Sequence, residues 1–136
     1  IDNLIEEQAG VSISEIFKEK GEGYFRTLEQ KITLEALKNI GNVISLGGGG
    51  FINDKIRKEV LTNHFSFWLD WDISILHKRI KNSKKRPLAF KSTDLKIKQL
   101  IKKRSKIYLK ADFKINCNKL TKTEIVKKII KIYELN

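Results

Sequence analysis

The chain has little that could anchor or cross-link it. With one cysteine, Cys117, no disulfide can form within it, and no apolar run is long enough to span a bilayer. There is no secretory signal pattern, so a reducing, cytoplasmic setting without membrane attachment is expected. Methionine is absent and the first residue is Ile1, from which we expect an N-terminal segment to precede the sequence. Acidic residues are few, 16 against 28 basic ones, which leaves a net charge of +12.

What is present, 136 residues with 40% apolar content, fits one compact domain with one core. The charge invites a nucleic-acid reading, because clustered cations release counterions from phosphate backbones. The lysines, however, lie along nearly every helix-like segment and form no single basic arm. That reads as a solvated surface, and no nucleic-acid partner is expected. Only five basic side chains are arginines: Arg26, Arg57, Arg79, Arg86 and Arg104. In so lysine-biased a chain, each marks a place where the planar five-donor fork suits a carboxylate, a phosphate or a ring.

Hydrophobic periodicity gives the organisation. "DNLIEEQA" reads as a short helix closed by Gly10, and "SISEIFKEKG" as a second, with Ile13, Ile16 and Phe17 on one face and Gly21 at its end. A longer helix is predicted from Glu22 to Ile40, its buried stripe made of Phe25, Leu28, Ile32, Leu37 and Ile40, with Gly41 as terminator. "VISL" reads as a buried strand, "NDKIRKEVLTN" as a helix, "FSFWLDW" as a strand and "DISILHKRI" as a helix with Asp72 at its N-cap. Residues 82–92 hold the only proline and no clean periodicity, so they form a cationic loop. "TDLKIKQLIKKRSKIYLK" is a helix, "FKINC" a strand, and "TKTEIVKKIIKIY" a final helix opened by a Thr121/Glu124 capping box. Strands alternating with helices imply an α/β fold on a parallel sheet.

Four consecutive glycines, Gly47 to Gly50, follow "VISL". Such a run is entropically costly unless the backbone needs unusual dihedrals or something approaches it closely. Arg26, in the first turn of its helix, is open to two readings: a surface pair with Glu22 or Glu29, or a ligand fork. Arg104 falls on the apolar face of its helix with Ile97, Leu100, Ile101 and Tyr108, and an inward charge needs an anionic partner, protein or ligand. A substrate carboxylate suits its bidentate fork. Arg86 precedes Pro87 in the cationic loop, where an arginine could close over phosphates. His64 and His77 are isolated, and no metal site is assigned. Cys117 reads as core, and Trp68 and Trp71 as packing residues.

Taken in order, "DNLIEEQAGVSISEIFKEKGEGYFRTLEQ", "VISLGGGG", "KRPL" and "KRSKIYLKADFKI" resemble shikimate kinase over essentially the whole chain. The resemblance implies a P-loop kinase-type parallel sheet with helices on both faces, like the nucleoside monophosphate kinases. It also implies ATP-dependent phosphorylation of the 3-hydroxyl of shikimate in chorismate and aromatic amino-acid biosynthesis, by a monomer. By position, Asp2 resembles the aspartate that bonds the substrate hydroxyls, and Arg26 and Arg104 the two forks on the shikimate carboxylate. Gly48 and Gly49 resemble the backbone lining the substrate, Ile13, Phe17 and Phe25 the apolar wall, and Glu29 the carboxylate that orients Arg26. Arg79 resembles the arginine that stacks on adenine, and Arg86 the lid arginine on the transferring phosphates, with 82–92 as the lid. Arg57 falls on a family arginine without an assigned role.

The family's first strand and its G-x-x-x-x-G-K-[ST] loop, whose groups hold ATP and Mg²⁺, do not occur here. The metal ligands are therefore expected in a preceding segment, and residues 1–136 alone are expected to be unstable and inactive. Ala89 stands where the family pattern has a second leucine after Arg-Pro-Leu, and "NCNKLTK" has no firm counterpart in the adenine loop. Other readings are a different small-molecule or nucleotide kinase of this fold, a basic nucleic-acid-binding module, and a non-catalytic relative.

Overall fold

The computed structural model describes residues 1–81 and 93–136. The expected lid loop, with Arg86, lies outside the described residues.

Three helices open the chain. Helix α1, Asp2–Ala9, ends at Gly10, whose φ of 69° lets its N–H return to the Glu6 carbonyl. Helix α2, Ile13–Glu19, starts with a capping box in which Ser12 and Glu15 bond each other's backbone N–H. Helix α3 spans Gly21–Leu37. Ile5, Ile16, Phe25 and Ile32 form a core cluster between them, flanked by Ile13, Phe17 and Leu28.

The long helix stops short of the predicted Ile40. At its end Lys38 and Asn39 turn their N–H groups to the carbonyls of Glu35 and Ala36, both at 3.2 Å. That tightened turn runs into Gly41, at φ 80°. Leu37 is the last side chain of the stripe to be buried, and Ile40 is fully exposed.

"VISL" is not a strand either. Residues 42–47 have no regular structure, and Val43 is fully exposed. A strand exists only by pairing, and among the described residues the sheet has two members, neither of which reaches this segment. Ile44 and Leu46 instead pack on a second core cluster of Leu37, Phe51, Ile56 and Val60.

A single turn of 3-10 helix, Gly50–Ile52, leads into α4, Asp54–Asn63, capped by the Asn53 side chain on the N–H groups of Lys55 and Ile56. Strand β1, Phe67–Asp70, pairs in parallel with β2, Phe113–Asn116, in register from Phe67 opposite Phe113 to Asp70 opposite Asn116. Parallel partners need a long crossover, and this one carries α5, Ile73–Lys81, and α6, Asp94–Tyr108. Both ends of the pair are tied. Ser66 donates from N–H and Oγ to Asp112 (2.9 and 2.5 Å), and Asn118 exchanges bonds with Asp72. Asp72 thus precedes α5 as expected, with its carboxylate accepting from Asn118.

Helix α7, Lys122–Glu134, opens with the Thr121/Glu124 box. It covers a third cluster of Ile115, Cys117 and Ile125, against which Phe67 and Trp71 also pack. Burial pushes the Cys117 thiol up, and the nearby Asp70 charge adds to the shift. Among the described residues no helix is long and apolar enough to cross a membrane.

Candidate functional site

None of Gly47 to Gly50 has positive φ; the left-handed glycines are Gly10, Gly21 and Gly41. Gly47 to Gly49 are therefore explained by approach, whereas a Cβ on Gly50 would meet only ordinary contacts with Leu46. A Cβ on Gly47 would lie 3.3 Å from Oδ1 of Asp2 and 3.4 Å from Oε1 of Glu29. On Gly48 it would lie 3.0 Å from Nη1 of Arg104, and on Gly49 2.8 Å from Cζ of Arg26. Three helices thus deliver charged groups to one stretch of bare main chain: Asp2 from the start of α1, Arg26 and Glu29 from α3, and Arg104 from α6.

Arg26 makes both of the pairs open to it. Its Nε and Nη2 bond Glu22 at 3.2 Å, and its Nη1 bonds Glu29 at 2.6 Å. These pairs differ in kind. The Glu22 side chain is about half exposed, whereas that of Glu29 is only 4% exposed. A buried carboxylate needs a cation, and Arg26 supplies it while remaining a third open to solvent. Beside it, Phe17 and the buried Phe25 pack with their rings tilted by 39° and centroids 4.7 Å apart, and Ile13 joins the same cluster. Apolar residues therefore flank the charged group.

Arg104 is half-buried, but Leu100, expected on its apolar face, is exposed; Ile97 and Ile101 are buried. The face is narrower than the sequence implied: Ile97 and Ile101 are its buried residues, and Ile107 and Tyr108 pack partly buried against the Phe51 cluster.

Two residues that sequence reasoning left without a role hold the loop itself. The Tyr108 hydroxyl donates to the Gly48 carbonyl at 2.5 Å. Arg57, its side chain 14% exposed, donates from Nη1 to the carbonyls of Phe51 (3.1 Å) and Ile52 (2.9 Å) and pairs with Asp54. The available signal for Tyr108 was its spacing, one helical turn after Arg104; nothing in the sequence pointed to the Arg57 contacts.

Arg79 is not part of this convergence. On α5, its guanidinium lies over the Trp71 ring, 3.9 Å from the centroid. Among the described residues no cluster of three His, Cys, Asp or Glu could hold a metal ion. Two surface hollows lie elsewhere, one between Ile1, Leu4 and residues 42–45, the other between Leu34 and α4. The site is defined by converging charge.

The family model described as Shikimate kinase matches residues 1–134. A shikimate kinase of Sulfurihydrogenibium sp. is 42% identical over 131 residues, covering 96% of this chain and 78% of the relative. That of Bartonella henselae is 38% identical over 96% of this chain, which spans only 62% of the relative's length. Among solved structures, shikimate kinase from Aquifex aeolicus matches with a TM-score of 0.85 at 34% identity, covering 98% of this chain and 78% of that one. The Acinetobacter baumannii enzyme in complex with shikimate matches at 0.91 and 26% identity, covering 99% and 76%. Similarity of this extent, over nearly every residue and in the same α/β fold, means that the chain belongs to the shikimate kinase family.

Proposed function

We propose that this protein transfers the γ-phosphoryl group of ATP to the 3-hydroxyl of shikimate, and that residues 1–136 form one domain carrying the shikimate side of the site. The observation that carries this reading is the placement of Arg26 and Arg104 against adjacent glycines, with Asp2 beside them. In it, the two forks hold the substrate carboxylate, Glu29 keeps Arg26 aimed, and the backbone of Gly48 and Gly49 lies against the ring. Asp2 bonds the substrate hydroxyls, orients the attacking one and accepts its proton late. Ile13, Phe17 and Phe25 form the apolar wall. The solved complex of the Acinetobacter baumannii relative with shikimate supports the choice of ligand.

Phosphoryl transfer asks mainly for positioning and charge neutralisation, so holding the acceptor is most of what these residues contribute. Two forks on one carboxylate also set specificity, since an analogue without it leaves cations unpaired. On the nucleotide side, adenine would lie on the Arg79 guanidinium, which sits over Trp71. Arg86, on the lid 82–92, would reach the phosphates. Magnesium, as the family implies, would supply charge neutralisation on the phosphates, but among the described residues no cluster of His, Cys, Asp or Glu could hold it. We place the reaction in chorismate biosynthesis, in the cytoplasm, with the protein acting as a monomer.

The test is ADP release by the full translated chain with shikimate, gluconate or nucleoside monophosphates as acceptor. Release with shikimate alone is the expected result. No shikimate-dependent release would overturn the proposal, and release with another acceptor would make it a different kinase of this fold.

A further inference from the structure

The carbonyls of the glycine loop are all in use. Those of Gly47, Gly49 and Gly50 accept from the N–H groups of Gly50, Ile52 and Asn53 at 3.0, 3.1 and 3.1 Å. Those of Phe51 and Ile52 accept from Arg57, and that of Gly48 from Tyr108. Among the described residues, the N–H groups of Gly48 and Gly49 donate to none. What the loop has left to offer is hydrogen-bond donors, which suits a ligand rich in oxygen acceptors.

Five of these six carbonyls are held by local turns or by a side chain from the adjacent α4. Gly48 is the exception, because its partner comes from α6, sixty residues away. The carbonyl of Gly48 and the N–H of Gly49 belong to one planar trans peptide and point in opposite directions. With glycine on both sides, no Cβ resists rotation of that peptide. The Tyr108 hydroxyl is therefore what decides where the Gly49 N–H points. Its ring is itself held, packed near Phe51 and Trp68 with centroids 6.4 and 6.1 Å away. One turn earlier on the same helix face, Arg104 also reaches Gly48.

We infer that Tyr108 is a positioning residue for the substrate: it locks the Gly48–Gly49 peptide with its N–H toward the bound ligand and keys that peptide to Arg104. This rests on the shikimate reading above. The experiment is steady-state kinetics of the full translated chain and its Tyr108→Phe variant, which keeps the ring and removes only the hydroxyl. KM for shikimate is expected to rise about tenfold, the effect of one lost hydrogen bond, with kcat and KM for ATP within about twofold.

An unchanged KM for shikimate, with or without a fall in melting temperature, would overturn the inference and leave the proposed function standing. No turnover of shikimate by the wild type would overturn both. Should the variant fail to fold, hydrogen exchange at the Gly49 amide of the wild type decides: slowing on addition of shikimate supports the lock, and no change refutes it.

Discussion

At Gly10, Gly21 and Gly41 the backbone turns left-handed, with φ of 69°, 77° and 80°, and nothing lies within 4 Å of where a Cβ would stand. At Gly47, Gly48 and Gly49 φ is not positive and the space is taken by the polar ends of Asp2, Glu29, Arg104 and Arg26. The first set is needed by the fold, which turns there between or after helices; the second is needed by the side chains that crowd the loop. Substitution should therefore separate them, the first set losing stability and the second losing activity.

The largest effect is expected at Gly49. A methyl there displaces the end of the Arg26 side chain and so misplaces the proposed carboxylate fork. The Gly49→Ala variant should lose about 100-fold in kcat/KM for shikimate. At Gly48 the clash with Arg104 is milder, so Gly48→Ala should lose about tenfold in the same assay.

Glu29→Gln keeps the shape but removes the charge that aims Arg26. It should raise KM for shikimate about fivefold and leave KM for ATP alone. By contrast, Gly10→Ala should cost about 1 kcal/mol in denaturant unfolding with unchanged kinetics, because the strain is purely conformational.

The smallest effect concerns the capping boxes of α2 and α7. Ser12, chiefly through its hydroxyl, holds the Glu15 carboxyl below its ordinary range, and Thr121, chiefly through its N–H, does the same for Glu124. A lowered folded pKa means that the stabilisation is complete above the unfolded value and is lost as pH falls through the folded one. The melting temperature should decline on acidification below about pH 4, and the decline should be shallower in a Glu15→Gln, Glu124→Gln double variant.

Helices were the legible part of the sequence, because their signals are local. Gly10 and the Thr121 box act within a few residues, and the structure places them where they were expected. The strand expected at "VISL" failed for the opposite reason: an apolar run becomes a strand only when another strand lies beside it. Ile40 kept the helical period but had nothing to pack against. At the site, residue type singled out Arg26 and Arg104 and the glycine run announced crowding, whereas their meeting across the chain was carried by the family resemblance. The roles of Tyr108 and Arg57 in the loop depend on which carbonyls face them, and no spacing rule encodes that.

The central claim is that Arg26 and Arg104 together read the acid group of shikimate. Titration calorimetry of shikimate and its methyl ester, into wild type and an Arg26→Ala, Arg104→Ala double variant, tests it most directly. The account predicts that esterification weakens binding to the wild type about 100-fold and barely matters in the double variant. Equal affinity of acid and ester for the wild type, or an ester penalty that survives in the double variant, would contradict it.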